Sequence, residues 1–181
     1  MGLVGVTGMA AGAAGVILDF EPPRFFAAYW DAVALVCLAE ALMLIRRQAI
    51  SASEPFWSPP ARRVAQAVAP AFFAGLAMGI VALFLNIQEQ QIVLLLIAVW
   101  MLIYGLAMHS AGFFMPRGFR LFGWGYVLCG LASFCFLIYF WSVGLYFPVR
   151  ICNIAMGALF GGGHAAYGLY LYFTEKRGKA V

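Results

Sequence analysis

Tyr104-Gly-Leu-Ala-Met-His109-Ser-Ala-Gly-Phe-Phe-Met-Pro116-Arg117-Gly118-Phe-Arg120-Leu-Phe-Gly-Trp124-Gly125 is the stretch that decides the fold. One apolar run ends in it and the next begins. Only a Pro-Arg-Gly turn with two arginines separates them. Two long apolar runs joined this tightly read as a helical hairpin crossing a bilayer, with His109 inside lipid.

The rest of the chain agrees. Its 181 residues are 65% hydrophobic and 10% charged, with a mean hydropathy of +0.95. A soluble domain is nearer half apolar and a quarter charged. The composition therefore predicts an all-α polytopic membrane protein, a single integral membrane domain over 1–181. A span takes about 20 residues, so six fit with short loops. They fall at about 2–18, 25–45, 64–86, 92–113, 121–143 and 151–173. Arg46-Arg47 are expected to stop the second helix, and Gln48 to Arg63 to form the longest loop. Pro70 is expected to kink the third. Asn86 to Gln91 reads as a turn, and Tyr146-Phe-Pro148 as a break. The first run lacks the basic start of a signal peptide and reads as a short Gly/Ala-rich span.

Six spans put both termini on one side. That side then holds Arg46, Arg47, Arg62, Arg63, Arg117, Arg120, Lys176, Arg177 and Lys179, and the other only Arg24 and Arg150. The positive-inside rule makes the basic side cytoplasmic. The expected location is the bacterial inner membrane, with both termini in the cytoplasm. A five-span arrangement without the first helix keeps the same loop assignment. The sequence pI near 9.0 reflects this topology and implies no nucleic-acid partner.

Glycines mark where helices approach each other. Gly5, Gly8, Gly12 and Gly15 share one face of the first helix, and Gly75 and Gly79 form a small-xxx-small pair in the third. Gly157, Gly161, His164 and Gly168 line one face of the sixth. Gly105, His109 and Gly112 do the same in the fourth. Such faces admit a neighbouring helix or a flat ligand.

Four titratable groups lie within spans: Asp31, Glu40, His109 and His164. Each is costly in lipid and is a functional candidate on that ground. Counted along helices that run the same way at 1.5 Å per residue, Glu40 and His164 differ in depth by only about 3 Å. His109 lies somewhat deeper and Asp31 well outside that level. Three readings follow. Glu40 and His164 hydrogen-bond across helices and fix the packing. Alternatively, a carboxylate beside a histidine makes a proton-linked site, as in a small-solute permease. Third, the two histidines hold haem b, although a depth mismatch of about 6 Å strains that geometry. Cys37, Cys129, Cys135 and Cys152 show no metal or redox spacing and read as small apolar residues. No HExxH, Gly-x-Ser-x-Gly or P-loop motif occurs, so an enzyme is not expected, nor is any metal.

Arg62-Arg63-Val-Ala-Gln-Ala-Val-Ala-Pro70-Ala-Phe-Phe-Ala-Gly75, Trp100-Met-Leu-Ile-Tyr104-Gly105 and Gly161-Gly-Gly-His164-Ala-Ala-Tyr-Gly168 resemble stretches of a family of small, functionally uncharacterised bacterial membrane proteins. The resemblance implies a six-span fold and no particular activity. His164 falls on its Gly-Gly-x-His-type segment, and Trp30 and Glu40 match its tryptophan and acidic residue. His109 has no counterpart there. The expected role is an accessory or regulatory membrane component with the lipid bilayer as its surroundings, as a homo-oligomer or within a larger complex. The alternatives are a permease using Glu40 and His164, or a haem-b electron-transfer subunit.

Overall fold

The computed structural model describes residues 1–18, 23–84, 91–115, 117–145 and 147–178, with backbone only at 23, 91, 117 and 175–178. Residues 86–90 of the expected turn at Asn86 to Gln91, the end of the third span, Pro116, Tyr146 and Lys179 lie outside it, and Gln91 belongs to a helix. The described elements are all helical: α1 (Gly2–Leu18), α2 (Pro23–Ser51), α3 (Pro59–Phe84), α4 (Gln91–Ala111), α5 (Arg117–Ser142), α6 (Val149–Met156) and α7 (Gly163–Gly178). A π-helical segment, Gly157–Gly162, joins α6 to α7, so the three form one continuous last helix. The stretches Arg24–Ser51, Pro59–Phe84, Ile92–Ala111 and Gly118–Ser142 are long and apolar enough to cross a membrane. The fold is that of a helical membrane protein. Large side chains such as Phe73, Leu121, Trp141 and Phe173 are exposed on its flanks, as a surface bathed in lipid requires.

Several helix ends differ from expectation, for one physical reason. Arg46-Arg47 do not stop α2, which runs to Ser51. At 1.5 Å per residue its 29 residues extend about 44 Å, well beyond a hydrocarbon layer of about 30 Å. A helix that leaves the bilayer carries arginines in water at no cost to its ladder. Hydropathy therefore marks the membrane boundary and not the helix end. The loop shrinks to 52–58, where Ser53 takes a left-handed φ of 54°. Pro59 and Pro60 open α3, where their missing N–H groups are harmless. Arg62, Arg63 and Arg120 thus lie in helices and not in loops. The α4–α5 turn is formed by Gly112, Phe113, Phe114 and Met115, with Arg117 already the first residue of α5. The α3 helix continues through Pro70.

Two glycine seams hold the bundle together. In the first, α1 lies antiparallel to the last helix. A Cβ on Gly12 would sit 2.6 Å from the Cα of Gly157, and one on Gly8 would sit 2.8 Å from that of Gly161. Gly5 faces the Ala165 backbone, Gly15 the Asn153 side chain, and Gly168 the backbone of Gly2. In the second seam α4 and α5 close on each other. Gly105 meets Val127, Gly123 meets the backbone of His109, and Gly130 meets Leu102. With lipid tails as apolar as the side chains, close van der Waals packing of this kind is what holds helices together. Phe26, Trp30, Val93, Ile97, Trp100, Met101, Cys152 and Met156 fill the core where α2, α4 and α6 converge.

Candidate functional site

His164 is 5% exposed and sits one residue beyond the start of α7, just after the π segment. The Leu159 and Phe160 carbonyls accept the backbone N–H of Gly163 and, each having two lone pairs, keep acceptor capacity to spare. Side chains take it up here. His164 Nδ1 lies 2.7 Å from the Phe160 carbonyl. The Tyr126 hydroxyl reaches the Leu159 and Phe160 carbonyls at 3.1 and 3.2 Å. A carbonyl only accepts, so Nδ1 carries the ring proton and, in the neutral ring, Nε2 is an acceptor. The Tyr104 hydroxyl donates to it at 2.6 Å. Both nitrogens are therefore engaged without a charge. Phe122 and Phe160 complete an aromatic box around the imidazole, with ring centroids 5.3 and 6.3 Å away.

Glu40 is bonded elsewhere. Its Oε1 accepts a hydrogen bond of 2.8 Å from the Thr7 hydroxyl, tying α2 to α1. Its Oε2 is buried with no hydrogen-bond partner among the described residues. Depth alone thus placed Glu40 and His164 at one level, but each takes its hydrogen bonds from other residues. Asp31 is 8% exposed, with Oδ2 also unpartnered. Its carboxyl group presses on the Cα of Gly79, where any Cβ would collide with it. Gly75, one turn earlier, gives its carbonyl to the Trp100 indole N–H at 2.9 Å. His109 lies apart from the His164 box. It contacts Phe113 and Trp124 edge-on, each at 5.5 Å, and its Nδ1 is buried and unpaired. Among the described residues the two histidines have no aromatic neighbour in common.

Of the glycines expected to admit a helix or a flat ligand, Gly157, Gly161 and Gly168 admit α1. The side chains of Arg46, Arg47, Arg62 and Arg63 are exposed. Arg63 lies over the Phe114 ring at 6.0 Å and Arg120 over Phe113 at 5.5 Å, which brings the α3 start and the α4–α5 turn to one end of the bundle. The side chains of Arg117, Lys176 and Arg177 lie outside the description.

A buried polar residue that links three helices was not among those four titratable candidates. Asn153 is fully buried. Its Oδ1 accepts from the Trp30 indole at 2.8 Å, and its Nδ2 donates to the Gly15 carbonyl at 3.1 Å. One amide thereby links α6, α2 and α1. Close by, the Tyr29 hydroxyl donates to the Ala11 carbonyl at 2.6 Å. A search for titratable groups passes over an asparagine. A search for any amide inside an apolar run would have found it. Among the described residues no group of three or more His, Cys, Asp or Glu is placed to hold a metal ion.

Comparison with known proteins finds no matching family model, no similar curated protein and no similar solved structure.

Proposed function

We propose that the chain is an accessory, non-enzymatic component of a membrane, acting through its lateral surface and not by moving a solute through its centre. The observation that carries this reading is the state of His164. Tyr104 occupies Nε2 and Phe160 occupies Nδ1, a set of partners that the neutral ring satisfies completely, and the residue ties α7 to α4. Glu40 serves α1 in the same way through Thr7. The proposed setting is the bacterial inner membrane with both termini in the cytoplasm, in a homo-oligomer or a larger complex. The test is substitution. Glu40→Gln and His164→Ala should lower thermal stability in detergent and leave the pH profile of any measured function in place. A profile displaced by either variant would overturn the reading.

A proton-linked permease is the second reading. What favours it is that one oxygen of each carboxyl group, Asp31 Oδ2 and Glu40 Oε2, is buried with no hydrogen-bond partner among the described residues, which leaves it open to a donor from outside the chain. Proteoliposomes carrying an internal pH dye test it: acidification abolished by Asp31→Asn or Glu40→Gln would establish it. Haem b suits the arrangement least. An axial ligand needs a free Nε2, and the glycine face beside His164 is covered by α1. The purified protein is expected to show no Soret band.

A further inference from the structure

The bundle carries a groove along its lipid-facing side, between α5 and the last helix. No glycine seam closes this pair. Aromatic rings hold the two helices apart, with Tyr167 stacked on Phe122 at 4.6 Å and Phe160 tilted on Tyr126 at 5.3 Å. The resulting space is about 450 Å³ and almost wholly apolar, with Gly118, Gly125 and Cys129 on one wall and Ala158, Ala166 and Tyr170 on the other. We propose that it holds one acyl chain of an anionic phospholipid, whose headgroup meets the basic residues at the groove's end.

Three observations carry the choice of occupant. The first is length. From Gly118 to Cys129 the α5 wall is about 17 Å long, close to the half-thickness of a hydrocarbon core of about 30 Å. The groove therefore has the reach of one leaflet, which suits a lipid tail better than a transmembrane helix. The second is shape. Gly125, on the α5 wall, has nothing among the described residues within 4 Å of where a Cβ would lie, so the space beside it is open and not filled by this chain. The third is charge. The groove ends where Gly118 meets the Tyr170 ring, with 3.1 Å from the glycine's would-be Cβ to the ring edge. Arg117 immediately precedes Gly118 in the chain. Arg177 follows Tyr170 by seven residues, the spacing that repeats one helical face. Arg120, by contrast, covers Phe113 on the α4 side and is not part of the groove's wall. The opposite side of the bilayer has only Arg24 and Arg150 among its basic residues. A tail in the groove thus places its phosphate at the end of the molecule where positive charge is concentrated.

The full chain, purified in detergent and exposed to phosphatidylglycerol or phosphatidylcholine with matched tails, tests this by intact-mass spectrometry of retained lipid. Phosphatidylglycerol should be held more tightly, by about fivefold for each arginine engaged. Arg117→Gln with Arg177→Gln should bring the two lipids level. Gly125→Leu, with open space at its Cβ, and Ala166→Leu should each reduce retention of both lipids. Neither should change the melting temperature in lipid-free detergent; if one fails to fold, the other decides. Equal retention of the two lipids by the unsubstituted chain would overturn the proposal. So would undiminished phosphatidylglycerol retention in the folded bulky variants. A dimer that Gly125→Leu converts to a monomer would also overturn it, because a second copy of the chain would then be the occupant.

Discussion

Asn153 is the clearest case of a single side chain organising its surroundings. Replacing it with leucine leaves the Trp30 indole N–H and the Gly15 carbonyl unpaired in a dry core. The expected cost is about 1–3 kcal/mol, read as a fall in melting temperature in mild detergent. Tyr104→Phe removes the donor to His164 Nε2 and is expected to cost less, about 1 kcal/mol, because the imidazole keeps its Phe160 bond. The Thr7–Glu40 bond is expected to show a coupling of ~0.6 kcal/mol in a double-mutant cycle of Thr7→Val and Glu40→Met, the usual size of an interhelical bond in lipid. What was legible at this scale was depth. Counting along helices placed Glu40 and His164 at one level. It carried no information on which way round the bundle each side chain points, and that angle depends on which helices are neighbours. The π segment was equally invisible. No composition signals the extra residue per turn.

The helices themselves were more legible than their ends. The glycines of α1 and of the last helix, spaced at three and four, marked a close-packing face in each, and the two faces turn out to meet. A bulky residue inside that seam should separate the helices. Gly12→Leu, which would drive a side chain into the Gly157 backbone, is expected to cost about 1–3 kcal/mol or more as overpacking. Gly162→Ala, with open space at its Cβ, should cost almost nothing in contact, so the melting temperatures of the pair separate crowding from a general effect of losing glycine. Helix ends were misread because charge was taken as a stop signal. In α2 and α3 the helix crosses the water boundary intact, and the real punctuation is the left-handed Ser53 and the Pro59-Pro60 pair.

At the level of the whole molecule, the proposed orientation has a direct check. Single cysteines at residue 1 and at residues 88–90 should be labelled from opposite sides of the membrane, with residue 1 reached from the cytoplasm. Labelling of 88–90 from the cytoplasm would reverse the assignment. The background needs Cys37, Cys129, Cys135 and Cys152 removed, all of them free thiols. The seam between α1 and the last helix has one more consequence, which concerns time. Helix α1 is synthesised long before its main partner, the helix formed by α6, the π segment and α7. At about 5–20 residues per second, the roughly 140 residues between the two halves of the seam take several seconds to half a minute to synthesise. Throughout that interval the glycine stripe of α1 lacks its partner, and of the described helices that pack on α1 only α2 has been made. A nascent chain arrested before residue 149 should therefore hold α1 loosely and be open to proteolysis there, and completing the last helix should be the step that locks the bundle.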